Sequence, residues 1–355
     1  MRQTYTYPDK LNLVSVLGAT INNLPANPSV QNLSNYYVSG TSGSDANGTG
    51  AIFSPWKTIS KAINVLNAIS GDITATINIA AGTYTENLLI EKSGISLIGA
   101  SSLPNVTVLT GNVNFSMAAN SFPTPFSIGG FQNIQLNGNL THYQSHGSKN
   151  SLNVSNCLFV PPNGFNAVTT GLIGIGSGLS DMTVRDCMIY MCNNTVAVAI
   201  NNTTINMYNT QLTNNPSSIG KTSFIAVGGS GQINLYGCSI TQVFAGFNVD
   251  SLIFVNNTTT VVSGSTINNC MLVYTSLTSS INKACIMFSG SVNMNTYTVI
   301  NNYFQCEGAP STLCIQVIGP PQLNLVIGQN IASGTAFTVP PSSGTYIKTS
   351  LNSVT

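Results

Sequence analysis

One short phrase is written repeatedly in this chain: SLNVSNCLFV at 151–160, DMTVRDCMIY at 181–190, TINMYNTQLT at 204–213, QINLYGCSIT at 232–241 and STINNCMLVY at 265–274. Aligned on Cys157, Cys187, Thr210, Cys238, Cys270 and Tyr303, successive copies are 30, 23, 28, 32 and 33 residues apart. Three places before the anchor stand Val154, Val184, Met207, Leu235, Ile267 and Ile300. Two places after it stand Phe159, Ile189, Leu212, Ile240 and Leu272, with Gln305 as the exception. Just before the anchor come Asn156, Asp186, Asn209, Gly237, Asn269 and Asn302. Asn, Asp and Gly tolerate the left-handed backbone that a tight bend needs.

Each copy therefore reads as strand, one-residue bend, strand, with alternation marking one buried face. A third apolar run precedes many copies: LIGIGSG at 172–178, FIAVGGSG at 224–231, IMFSGS at 286–291. Three strands and three bends in a unit of about 23 residues or more make one rung of a solenoid. A single rung cannot bury its inner face, whereas stacked rungs share a continuous core. The expected fold is all-β, a right-handed parallel β-helix over residues 36–320. Val154, Val184, Met207, Leu235, Ile267 and Ile300 should form one inward column. The Asn column can carry an amide ladder, and the Cys column reads as stacked small hydrophobes in the thiol form. Cys306 and Cys314, flanking EGAPSTL, are the better partners for each other.

At the front, Ser54 reads as an N-cap, Pro55 as a first helical residue and Gly71 as the stop. Trp56, Ile59, Ile63 and Leu66 fall on one face, so an amphipathic capping helix is expected near 55–69. Residues 1–35 lack the phrase and read as an N-terminal arm, because Asp9 and Lys10 precede the apolar part and no cleavage site follows. Residues 321–355, with paired prolines at 320–321 and 340–341, read as a C-terminal cap or tail.

Two stretches resemble a known family. Tyr37-Val38-Ser39, a Gly/Ser/Asp-rich turn and Ser54-Pro55-Trp56-Lys57-Thr58-Ile59 with Lys61-Ala62-Ile63 are similar to the opening of right-handed β-helix proteins of the pectin-lyase-like superfamily. Gly82-Thr83-Tyr84-Thr85-Glu86-Asn87, Ile90 and Ile95-Ser96-Leu97-Ile98-Gly99 resemble its first rungs. The resemblance implies the fold. For activity it leaves lyases, hydrolases, esterases, phage tailspikes and inert virion parts open, since a fold does not carry a function.

Charged residues make up only 5% of the chain and the net charge is +1, so there is almost no electrostatic support for nucleic-acid binding. No run of 18 apolar residues is present, so no membrane span is expected. The resemblance implies acidic calcium ligands with a basic proton acceptor in a lyase, and two aspartates with an arginine in an esterase. Hydrolysis needs two carboxylates across the scissile bond. The nine carboxylates are Asp9, Asp45, Asp72, Asp181, Asp186, Asp250, Glu86, Glu91 and Glu307. None recurs in register on a neighbouring rung. Asp181, Thr183 and Arg185 share an outward strand face and form the one cluster with a catalytic look, which an ordinary surface ion pair also explains. Asp186 reads as a bend residue and Glu86 as structural. Glu86, Glu91 and Asp250 remain candidates for a site in a groove elsewhere on the chain. His142 and His146 have metal-pair spacing without an evident third ligand, and the many N-x-S/T triplets, among them those at Asn32, Asn105, Asn139 and Asn257, carry little information.

No catalytic, cofactor-binding or metal-ligating residue is assigned, and the expected protein is not an enzyme and uses no cofactor. The favoured reading is a structural virion protein, a spike, fibre or minor capsid component. Its expected partners are other virion or capsid subunits, further copies of itself and a host glycan, without nucleic acid. The alternatives are a polysaccharide-cleaving lyase or hydrolase, and a secreted carbohydrate-binding or adhesive protein.

Overall fold

The structure, a computed structural model, describes residues 35–70, 73–92, 94–117, 128–144, 151–161, 173–175, 181–191, 196–214, 223–242, 251–258, 264–276, 283–289, 294–308, 312–318, 323–333, 345–350 and 353–354. The expected arm therefore lies outside the described residues, apart from Asn35. The described strands form three parallel sheets of twelve, nine and eleven strands. One turn of the winding shows the plan. Asp181–Arg185 lies in the twelve-stranded sheet, Met188–Met191 in the eleven-stranded sheet and Val198–Asn201 in the nine-stranded sheet. Thr204–Tyr208 then pairs back on Asp181–Arg185 one rung along. The chain is a parallel β-helix.

The inward column holds Phe131, Val154, Val184, Met207, Leu235 and Ile267 in register, all buried. Its next member is Val299, and Ile300 is displaced to the half-buried outer side beside Asn268. The expected column was thus one residue out in that rung, because the anchor is Asn302 rather than Tyr303. A slip of one residue exchanges the two faces of a strand. The shift also removes the Gln305 exception, since Phe304 is the buried partner of Leu272.

The bend recurs as one backbone device. Asn133, Asn156, Asp186, Asn209, Gly237, Asn269, Asn301 and Gln329 all have φ between 48° and 63°. The expected amide ladder is present in pieces, with Asn156 Nδ2 donating to Asn133 Oδ1 (2.8 Å) and Asn209 Nδ2 to Asp186 Oδ1 (3.2 Å). The next residue explains the Cys column. Each bend leaves a carbonyl two places before the anchor, and a short side chain with a donor reaches it. Cys157 Sγ donates to Ser155 O at 3.2 Å, Cys187 Sγ to Arg185 O at 3.2 Å, Thr210 Oγ1 to Tyr208 O at 3.0 Å and Cys270 Sγ to Asn268 O at 3.3 Å. The column cysteines are buried thiols. Further along, Asn302 and Asn330 continue the column with amides. Asn302 Nδ2 donates to Ile267 O (2.9 Å), and its Oδ1 accepts from Cys270 N (2.9 Å).

Pairing continues beyond residue 320, where the sequence reading placed a cap or tail. Leu323–Gly328 and Thr345–Ser350 extend the twelve-stranded sheet, and Ile331–Ser333 and Ser353–Val354 the eleven-stranded one. LNLVIGQNIAS is another copy of the phrase, hidden because Gln329 makes the bend and Asn330 the anchor.

The cap is the helix α1 (Ile59–Asn67), the one α-helix among the described residues. It starts four residues later than the sequence suggests. Trp56 stacks on Tyr36 (ring centroids 5.6 Å apart) and bridges Val38, so 54–56 is held extended and Thr58 becomes the N-cap. At Gly50 (φ 78°) a Cβ would lie 2.6 Å from the Trp56 ring, so this turn requires glycine. Asp45 accepts from Lys57 N (2.8 Å), Thr58 N (3.0 Å) and Thr58 Oγ1 (2.8 Å), while Glu86 accepts from Ile59 N (3.1 Å) and Ser60 N (2.7 Å). Two carboxylates from distant positions thus satisfy the orphan amides of the first turn and meet the positive end of the helix. Burial raises the Asp45 pKa, but these hydrogen bonds and nearby Lys61 outweigh it and hold the carboxyl below its ordinary value. Ile59, Ala62, Ile63 and Leu66 are buried, each isoleucine or leucine contributing about 1.5–3 kcal/mol, against strands 35–38, 75–79 and 88–90.

Candidate binding groove

The outer faces of the sheets differ in what their side chains leave open. On the nine-stranded sheet the outward positions Thr141, Gly174, Ala199, Ala226 and Phe254 are in register on five successive rungs. Asn201, Gly228 and Asn256 form a second row beside them. The three small residues of the first row make a floor, with taller side chains at its ends. The result is an open groove of about 510 Å³, which Tyr143 also lines. At about 4.8 Å per rung the first row runs for about 19 Å along the helix axis.

The chemistry of this groove is neutral. Asn201 and Asn256 are exposed amides, and Thr141 and Thr258 bring hydroxyls. Tyr143 is 47% exposed and offers a ring face with a phenol, and Phe254 adds a half-buried ring. None of the described carboxylates, lysines or arginines lines it. Rings beside a few placed polar groups suit an uncharged, hydroxyl-rich ligand.

His142 points the other way. Its ring is buried edge-on to Phe115 (centroids 6.5 Å apart), and neither ring nitrogen has a hydrogen-bond partner among the described residues. Burial lowers its pKa from 6.5 to about 4, so at neutral pH the imidazole is uncharged. His146 lies outside the described residues. Among the described residues no group of three His, Cys, Asp or Glu side chains is placed to hold a metal.

The other candidates are on different surfaces. Asp181, Thr183 and Arg185 do share the outer face of the twelve-stranded sheet. Arg185 is exposed and lies 4.9 Å from the ring centroid of Tyr208, which stacks on Tyr236 at 5.2 Å. A cation–aromatic stack therefore engages the guanidinium. Asp186 is a bend residue (φ 53°) whose Oδ1 is held by Asn209. Glu86 is fastened to α1, and Glu91 accepts no role in the groove; its backbone N–H donates to Asn67 Oδ1 at 3.2 Å. Asp250 lies outside the described residues. Asn257 is buried, with Nδ2 donating to Gly229 O and Oδ1 accepting from Tyr297, so that triplet is structural.

The sequence reading missed the groove. Its signal is the apolar–small–apolar triplet Ile173-Gly174-Ile175, Val198-Ala199-Ile200 and Ile225-Ala226-Val227, visible only when the third run of each rung is aligned.

No family model matches the chain, and no curated protein matches it. Among solved structures it is similar to the pectin methylesterase from Aspergillus niger, at 14% identity over 90% of this chain and 85% of that one, with a TM-score of 0.37. It is also similar to the pectin methylesterase PemA from Erwinia chrysanthemi, at 12% identity over 85% and 90%, TM-score 0.40. A third is Geobacillus virus E2 ORF18, at 13% identity over 98% of this chain and 64% of that one, TM-score 0.41. The parallel β-helix itself rests on this chain's own strand pairing.

Proposed function

We propose that this chain is a non-catalytic structural protein of a virion, a spike, fibre or minor capsid component, that works through assembly contacts and binds a neutral glycan in the groove. The observation that carries this reading is the uncharged lining of the groove. General acid–base chemistry needs a titratable group within hydrogen-bond reach of the reacting atom, and the described lining offers a phenol and a neutral imidazole turned inward. The stiff, charge-poor solenoid supports a role exposed to other subunits.

The test has two arms. Neutral, acidic and methyl-esterified polysaccharides are incubated with the protein, and new reducing ends, unsaturated ends and released methanol are measured. Affinity electrophoresis through the neutral polymers is run in parallel. The expected outcome is retardation by a neutral polymer with no turnover of any. Turnover that disappears in Asp181→Ala or Arg185→Ala would restore a polysaccharide-cleaving enzyme. Mass spectrometry of purified particles should find the chain as a component. Its recovery in the culture medium apart from particles would favour a secreted adhesive protein.

A further inference from the structure

The column thiols sit one to a rung, face carbonyls and, in the pairs Cys157 with Cys187 and Cys238 with Cys270, also lie against each other along that column. A second group of cysteines is arranged differently. Cys306 is in the last strand before a corner, in the eleven-stranded sheet, and Cys314 is in the strand after it, in the nine-stranded sheet. On the preceding rung, the pairs Ala284–Leu313 and Ile286–Ile315 bracket Cys285 and Cys314 and set them side by side. All three side chains are buried. Cys285 Sγ lies 3.2 Å from Cys306 Sγ, and Cys306 Sγ lies 3.7 Å from Cys314 Sγ, so Cys306 is the hub. The sequence reading joined Cys306 to Cys314 and did not see Cys285, which lies nearer.

We infer that Cys285 and Cys306 form a disulfide that staples two successive rungs in the C-terminal part of the solenoid when the chain folds in an oxidising medium. A disulfide needs its sulfurs about 2.05 Å apart, and Cys285 and Cys306 are the nearer of the two sulfur pairs at 3.2 Å. The bond joins residues 21 apart in sequence, against 8 for the Cys306–Cys314 alternative. The longer loop is the more stabilising to close in the chain-entropy account. It also ties one sheet to the strand of the rung before, so that separating these two rungs requires breaking a covalent link.

The oxidant is a small-molecule disulfide such as oxidised glutathione. The Cys306 thiolate attacks it, forming a mixed disulfide and expelling one glutathione thiolate. The Cys285 thiolate then attacks the sulfur of Cys306 and expels the second. The two thiol protons end on the two glutathione molecules, and the protein loses two electrons as the reagent gains two. Burial holds the Cys285 thiol above its ordinary pKa, and the hydrogen bond with Cys306 followed by burial does the same for Cys314. Thiolate is the reactive form, so the exchange belongs to the stage at which these rungs are still open.

The full chain is unfolded, then refolded in reduced glutathione alone or in a mixture with oxidised glutathione. Remaining thiols are blocked with N-ethylmaleimide in denaturant, and the intact mass and the proteolytic peptides are measured. The expected result is eight blocked cysteines after reducing refolding and two fewer after oxidising refolding, with a linked peptide pair containing Cys285 and Cys306. Cys314→Ser should keep the link and Cys306→Ser should lose it. The stapled protein should melt about 5 °C higher. Eight blockable thiols in the folded, oxidised product, or a link from Cys306 only to Cys314, overturns the inference. Peptide mapping of the parent decides this even if a variant fails to fold. The outcome is independent of the role proposed for the groove.

Discussion

The outer faces of the twelve- and nine-stranded sheets belong to the same rungs, yet one face is closed and the other open. On the first, outward side chains satisfy one another. Asn234 Nδ2 donates to Asn206 Oδ1 at 2.9 Å and Asn234 Oδ1 accepts from Thr266 N at 3.1 Å, while Arg185, Tyr208 and Tyr236 stack. On the second, Gly174, Ala199, Ala226 and Gly228 stand at the equivalent outward places and leave the pleat bare. The winding is shared, so the difference comes from side-chain size and from whether polar groups already have partners. A face that uses its amides on its own neighbours gains stability, and a face that leaves them exposed presents them to solvent.

The comparison extends beneath the surface, where the largest effect is expected. His142 lies under the nine-stranded sheet with a folded pKa of about 4, below the ordinary 6.5. The unfolded chain therefore takes up its proton first as the medium is acidified. Stability is complete above about pH 6.5 and falls as pH drops towards 4, by about 3 kcal/mol in all. Urea unfolding at pH 7, 5 and 4 should show this decline, and His142→Phe should flatten it. Equal acid slopes in the two proteins would show that His142 does not titrate as its burial implies.

Filling each face in turn sharpens the contrast in binding. Ala226→Trp should raise the dissociation constant for the neutral polymer that retards the parent by at least about tenfold, equivalent to about 1.4 kcal/mol. Thr266→Trp, on the closed face, should leave it unchanged. Equal losses from both would mean that the groove is not the binding strip.

The amides should separate by stability. Asn234→Ala removes a partner from both Asn206 and Thr266 and should cost about 1 kcal/mol in chemical unfolding. Asn256→Ala, on the open face, should cost under about 0.5 kcal/mol. A reversal of that order would contradict the division between the faces.

The smallest effect concerns the bend. Asp186→Asn keeps a residue that tolerates left-handed backbone and an oxygen for Asn209, so stability should stay within about 0.5 kcal/mol of the parent. A loss above 1 kcal/mol would show that the negative charge itself is used.

Much of the molecule was legible in its residues. The alternation in SLNVSNCLFV and its copies gives strands with one buried face. Asn156, Asp186, Asn209 and Gly237 mark the bends, because few residues accept a positive φ. Register is ambiguous in one place, where Asn301 and Asn302 are consecutive residues that both tolerate the bend. Only packing separates them: Asn302 is buried with its amide satisfied by Ile267 and Cys270, and Asn301 is exposed. The capping helix was legible in its apolar face, but its start was decided by Trp56 stacking on Tyr36, a contact between segments 20 residues apart.

By itself the sequence determined that this chain is a solenoid, because a period of alternating strands and left-handed bends can bury its apolar face only by stacking on itself. The tertiary structure decided which outward residues become neighbours. The spacing between the aligned copies varies from 23 to 32 residues, so the row Gly174, Ala199 and Ala226 and the trio Cys285, Cys306 and Cys314 share no fixed interval in the chain. They meet because hydrogen-bond register, not sequence distance, sets what lies above what in a parallel sheet.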